Sequence, residues 1–324
     1  MSNSLAEKTI EGDHAHQALA RPTALLVATD GTPQSDAAVA FAFLLAVNNH
    51  ADVKTVTVVE PAPLPWGVID PSLVMEYERA LHEDTLARAR AQVDRLGDRN
   101  WTVEVQTGDP ASKIATLART SRARLVIVGL GGHGAAARLM GNETALQLMR
   151  TSETPVLAVD TRQSSLPKRI MVAMDFSESS IEAAQLALEI ASPGATATLV
   201  HVVPWERKDY IPEGWFAEHE SHIGAQLTRV AGWLDRPAGI RIHQKILYGK
   251  PGPALLACAE DLDADLLVAG THGRGLVGRI LGGETVAKLV RGTRRSMLVL
   301  PAAAAYHYLR APVELAHSNG AGEV

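Results

Sequence analysis

The stretch LVIVGLGGHGAAARLMGNETA at residues 125–145 returns as LLVAGTHGRGLVGRILGGETV at residues 266–286, aligned without a gap at a spacing of 141. Each copy passes from a short apolar run into a glycine-rich loop and, after Asn-Glu-Thr or Gly-Glu-Thr, into a new helical pattern. Gly129 and Gly132 fall on Gly270 and Gly273, while Arg138 and Gly141 fall on Arg279 and Gly282. A repeat this long is a duplicated domain rather than a solenoid unit. The repeated element is a backbone cradle of the kind that holds phosphates, because glycines let main-chain N–H groups approach an anion with no Cβ in the way.

Outward from that element, the first repeat predicts strands at 25–29, 53–59, 101–106, 125–129 and 156–159, with helices at 33–48, 72–96, 110–121 and 143–151. The second predicts strands at 170–174, 196–203, 241–246, 266–269 and 297–300, with helices near 178–191, 215–234, 253–261 and 285–292. Pro33 and Pro110 suit a first helical turn. Near the first strand the register between repeats is 145, matching Asp30 with Asp175 and Ser35 with Ser180. By the third strand it is 141, where Gly108-Asp109-Pro110 meets Gly249-Lys250-Pro251, so the length difference lies around the second strand and the long helix. Residues 1–20 read as a flexible N-terminal tail holding His14 and His16, 21–160 as the first domain, and TRQSSLP at 161–167 as a linker. Residues 168–301 form the second domain and 302–324 a C-terminal tail.

Apolar strands alternating with helices imply a parallel sheet covered on both faces. Such sheets bind ligands beyond the carboxyl ends of the strands, where strand order reverses. Two places in each half meet that rule: the end of the first strand, with Asp30 or Asp175, and the glycine loop after the fourth.

The 324 residues suit about two domains of roughly 140 residues, each able to close its own core. A net charge of −5 offers no broad attraction for nucleic acid or an anionic membrane. No apolar run reaches the length of a membrane span, and the first twenty residues lack a secretory core, so a cytoplasmic location is expected. Cys258 has no partner for a disulfide and sits in the apolar run ALLACAEDL, where a buried inert thiol is expected.

Residues 129–134, GLGGHG, satisfy the dinucleotide pattern G-x-G-x-x-G, as do residues 273–278, GRGLVG, but three positions out of register with the first. A true fingerprint follows the first strand and recurs in register, so the dinucleotide reading fails. The Walker pattern fails too, since no Gly-Lys-Ser/Thr closes either loop. Both copies instead share G-x-x-G, nine residues, and a small residue opening a helix: Gly270, Gly273 and Gly283, or Gly129, Gly132 and Asn142. With TDGT at 29–32 and MDFS at 174–177, this resembles the universal stress protein family over nearly everything from residue 22 to 301. The resemblance implies a tandem of two doubly wound α/β domains of the adenine nucleotide alpha hydrolase-like kind. Each would be a five-stranded parallel sheet flanked by helices, in strand order 3-2-1-4-5.

The resemblance also implies roles. Asp30 and Asp175 would face the adenine or ribose, with Val58 or Val59 and Val202 or Val203 lining the base pocket, and Val128 and Ala269 touching ribose. Gly129 with Gly132, and Gly270 with Gly273, would bring amides to phosphates. His133 and Arg274 share one loop position and Arg138 and Arg279 another, where basic side chains would meet phosphate oxygens; for His133 a solvated role is favoured.

The family's hydroxyl after the last glycine is missing. Glu143 and Glu284 replace it, and Asn142 replaces the first copy's glycine. A carboxylate about 4 Å from a phosphate costs roughly 4 kcal/mol at an effective dielectric near 20, against about 1 kcal/mol for a lost hydroxyl hydrogen bond. A bound Mg²⁺ would offset that by taking the glutamate as a ligand. Alternatively Asn142 caps the helix, and Glu143 and Glu284 sit against its dipole, filling the anion site from within. The filled reading is favoured for the first half, and nucleotide binding for the second.

The expected function is therefore a non-catalytic stress-response protein that senses or binds an adenine nucleotide, ATP above all, in at least the second domain. Its partners are that nucleotide and an unidentified protein, with no nucleic acid and no membrane, and homo-oligomers stay open. One alternative is a nucleotide-independent scaffold whose connections PAPLPWGVIDP (61–71) and PWERKDYIPEGWF (204–216) supply surfaces or cover the sheet edge. A slow ATP hydrolase holding metal through Asp175 or Glu284 is the remaining one.

Overall fold

The computed structural model describes residues 24–61, 70–131, 143–204, 215–237, 239–271 and 283–301. The tails, the greater part of both tryptophan-bearing connections and most of both glycine loops lie outside them. In the first half β1 (Ala24–Ala28) enters a 3-10 turn, Pro33–Ser35, before α1 (Asp36–Asn49), so Pro33 opens that turn and the helix proper begins at Asp36. Then follow β2 (Asp52–Val59), α2 (Pro71–Leu96), β3 (Thr102–Thr107), α3 (Pro110–Thr120), β4 (Leu125–Leu130), α4 (Glu143–Thr151) and β5 (Val156–Asp160).

The second half repeats that order with β6 (Arg169–Ala173), α5 (Glu178–Glu189), β7 (Thr196–Val203), α6 (Trp215–Trp233) and β8 (Arg241–Tyr248). It closes with α7 (Pro251–Asp261), β9 (Leu266–Gly270), α8 (Gly283–Gly292) and β10 (Ser296–Leu300). Helix α7 starts two residues before the expected 253, at Pro251, the residue aligned with Pro110. Both prolines stand at the first helical position, where the missing N–H is an orphan anyway.

The two halves build one sheet, not two. Its order is β3-β2-β1-β4-β5-β10-β9-β6-β7-β8, so each half keeps the 3-2-1-4-5 order and the fifth strands meet at the centre. Pairs within each half are parallel. The central pair is antiparallel, with Met297 opposite Ala158, Leu298 opposite Leu157 and Val299 opposite Val156. Around that joint Ser296 Oγ donates to Gln163 Oε1 at 3.3 Å and accepts from the Asp160 N–H at 3.1 Å.

Alternation along the strands sends one set of side chains to each face. Leu25, Val27, Leu157, Val172 and Leu298 join one buried cluster, under α1 and α5. Val126, Ala158, Val200, Met297 and Val299 join the other, under the buried faces of α3, α4, α7 and α8. Each cluster runs through both halves, which makes the joint part of the core.

Candidate functional site

Strand order reverses between β1 and β4 in the first half and between β6 and β9 in the second. At the first switch point lies a cleft of about 660 Å³. Its apolar floor comes from Ala28, Val56, Val58, Ile114 and Val128, and its rim carries Asp30, Glu60, Asp109 and Glu143. Gly129 and Gly131 line it as well. Among the described residues, no lysine, arginine or histidine joins that lining.

Asp30 is exposed, yet held. Its Oδ1 accepts from the Thr32 N–H at 2.9 Å, Thr32 Oγ1 at 2.7 Å and Ser35 Oγ at 2.9 Å. Behind this turn stands Gln92 of α2, about 1% exposed. Its amide donates to the Thr32 carbonyl at 2.9 Å, Ser35 Oγ at 3.1 Å and Asp36 Oδ1 at 2.6 Å, and its Oε1 accepts from Thr29. Gly31, at φ +74°, lets the turn lie on α2: a Cβ there would sit 2.9 Å from Arg88 Cβ. Sequence reasoning missed Gln92, because its partners lie 56 to 63 positions away and no local pattern marks them.

The second switch point is built differently. Asp175, aligned with Asp30, is buried. Its Oδ1 accepts from the Ser177 N–H at 3.1 Å and from Ser177 Oγ, while Oδ2 is buried and meets no hydrogen-bond partner among the described residues. Phe176 takes the place of Gly31 at φ +63°, and its ring lies 4.8 Å from the ring of His201. Positive φ is costly for an aromatic residue, and packing against His201 offsets that cost. His201 Nδ1 meets the Met174 carbonyl at 2.8 Å. Burial pushes the His201 imidazole below its ordinary pKa, with the Met174 hydrogen bond and the Asp175 charge opposing and His219 assisting.

Val202 of β7 and Ala269 of β9 are buried, and Gly270 ends β9. Gly129 and Gly270 have a structural reason to be glycine. A Cβ on Gly129 would lie 3.1 Å from the Gln34 carbonyl oxygen, and one on Gly270 only 2.6 Å from the Ser179 backbone. Gly283 and Glu284 open α8, and Glu143 sits in the first turn of α4. Gly132, Asn142, Gly273 and Arg274, with His133, Arg138 and Arg279, lie outside the described residues.

The positions on the rim of the first cleft are filled by different residues in the second half. Glu60, directly after β2, corresponds to Pro204 directly after β7. Asp109 and Lys250 are both helix N-caps with near-identical backbones, φ −69°, ψ 123° and φ −70°, ψ 123°. Asp109 caps the Ser112 N–H at 2.8 Å, whereas Lys250 makes no side-chain cap. Where the first half sets four carboxylates, the aligned positions of the second hold Asp175, Pro204, Lys250 and Glu284.

The buried acceptor at Asp175 suits a ligand N–H or O–H donor, and Lys250 suits an anion. No group of three His, Cys, Asp or Glu residues able to hold a metal ion stands together among the described residues. Cys258 is buried in α7, where desolvation raises its thiol pKa.

Two doubly wound halves fused through their fifth strands, with polar turns at both switch points, define a tandem α/β protein of the adenine nucleotide alpha hydrolase-like fold. The chain belongs to the universal stress protein family, which it matches over residues 23–160 and again over 167–301. It is 30% identical to a universal stress protein of Mycolicibacterium smegmatis across 86% of this chain and 97% of that one. A universal stress protein of Mycobacterium tuberculosis is 29% identical across 82% of this chain and 93% of its own. The crystal structure of a universal stress protein from Archaeoglobus fulgidus covers 86% of this chain and 96% of that one, with a TM-score of 0.59 and 22% identity; it speaks for the fold.

Proposed function

We propose that this tandem universal stress protein is a non-catalytic sensor that binds an adenine nucleotide, ATP above all, at the second switch point. The observation carrying this reading is the orphaned, buried Oδ2 of Asp175 at the carboxyl end of β6. A carboxylate oxygen removed from water is costly unless a donor reaches it, and an adenine amine or a ribose hydroxyl is such a donor. Lys250 stands in place of Asp109 and Arg274 in place of His133, which makes the second half the more hospitable to phosphates. In this reading Val202 and Ala269 flank base and ribose, and Gly270, Gly273 and Gly283 frame the phosphate loop. Mg²⁺ would arrive with the nucleotide's own phosphates, with Glu284 as its one protein ligand.

The test is direct. Freshly purified protein is denatured and the supernatant read by mass spectrometry. Released ATP or AMP supports the sensor, and clean protein opposes it. A nucleotide-independent scaffold is the second reading, favoured by Glu143 on the rim of the first cleft and at the start of α4. We place the division between the two functional units at residues 161–167 and the protein in the cytoplasm. No helix among the described residues is long and apolar enough to cross a membrane.

A further inference from the structure

The first half holds a cleft whose described rim is the wrong one for a nucleotide. About 660 Å³ is within the range of small-molecule sites, and the floor of Ala28, Val56, Val58, Ile114 and Val128 suits a flat apolar ring. Around it Asp30, Glu60, Asp109 and Glu143 offer acceptors, and ionised carboxylates donate nothing. The ligand that matches has an apolar planar body, several N–H or O–H donors and no negative charge. A triphosphate brings the opposite: acceptors and several like charges, in a cleft whose walls exclude part of the screening solvent.

We propose that the first-half cleft is a nucleoside site, accepting an uncharged base and sugar and turning away the phosphorylated forms that the second half takes. The proposal rests on the nucleotide reading for the base and departs from it in the phosphates. One chain would then read two states of one metabolite class: the phosphorylated compound at one end of the sheet and its dephosphorylated product at the other. The continuous core through β5 and β10 gives the two ends a physical connection.

The two sites separate by methyl NMR on the full chain. The methyls of Val58, Ile114 and Val128 report the first cleft, and those of Val202 the second. Adenosine is expected to shift the first set, with ATP binding there about a hundredfold more weakly, the size that several half-screened like charges produce. Replacing Asp109→Asn with Glu143→Gln keeps the α3 cap position polar while removing two charges. ATP should then gain at least about tenfold relative to adenosine at the first cleft. ATP equal to adenosine there in the unaltered chain, no adenosine response there, or a charge-neutral pair that leaves the preference unmoved would each overturn the proposal. Adenosine at the first cleft with no ATP response at Val202 leaves this proposal standing and removes the nucleotide reading of the second half.

Discussion

Gly270 lies so close to Ser179 that a Cβ added to it would sit 2.6 Å from the Ser179 carbonyl carbon, its Oγ and the Ser180 nitrogen. The end of β9 is thereby pressed onto the start of α5, and the mouth of the second half takes its shape from that contact. Backbone cannot yield as a flexible side chain can, so Gly270→Ala is expected to cost about 1–3 kcal/mol. Gly129→Ala, whose Cβ would meet Gln34 oxygen at 3.1 Å, should cost less. Urea unfolding of both variants checks the order; equal midpoints would contradict it.

Gln92 gives the first-half turn its rigidity. Its amide donates to three acceptors on the turn and on α1, and its oxygen accepts from Thr29. Gln92→Leu keeps the volume, strips those partners of a buried hydrogen bond, and is expected to cost about 2–3 kcal/mol. Thermal denaturation reads the loss, and an unchanged midpoint would remove Gln92 from this role.

His201 makes stability depend on pH. Burial holds its folded-state pKa below the ordinary 6.5, so the unfolded chain binds the proton more readily. The contribution is fully present above about pH 6.5 and is lost as pH falls below it, at no more than about 1.4 kcal/mol per pH unit. His201→Asn keeps a donor for the Met174 carbonyl and removes the titration. The stability difference between the two proteins should shift between pH 7.5 and pH 5.5, and parallel profiles would exclude His201 as the source.

The central β5–β10 pair and two clusters of buried side chains spanning both halves predict a single unfolding event. Calorimetry should give one transition. Two well-separated ones would mean that the halves are joined less firmly than the shared sheet implies.

Much of the fold was legible because apolar strands such as LLVAG and SMLVL carry their own pattern and Pro110 marks a helix start, whereas the matching start at Pro251 lies two residues before the expected 253. The repeat located the switch points, and Asp30 and Asp175 stood out as paired residues at strand ends. Three features were not legible. Nothing in Val156–Asp160 tells a reader that this strand pairs with Ser296–Leu300, because apolar strands buried on both faces read alike. The contacts of Gln92 and the Phe176–His201 stack span 63 and 25 positions, beyond any local signal. The different burial of Asp30 and Asp175 depends on what replaces Gly31, and only coordinates display Phe176 at positive φ. Glycine at 129 and 270, read from the loop pattern as a phosphate feature, also stands at a close strand-to-helix contact that the sequence does not show.

The most direct measurement is calorimetric titration of the full chain with ATP, beside Asp175→Ala and Asp30→Ala. A nucleotide whose donor meets the buried Asp175 oxygen predicts at least about a tenfold loss of affinity in the first variant and a change within about threefold in the second. Equal affinities for all three proteins, or a loss confined to Asp30→Ala, would contradict the account.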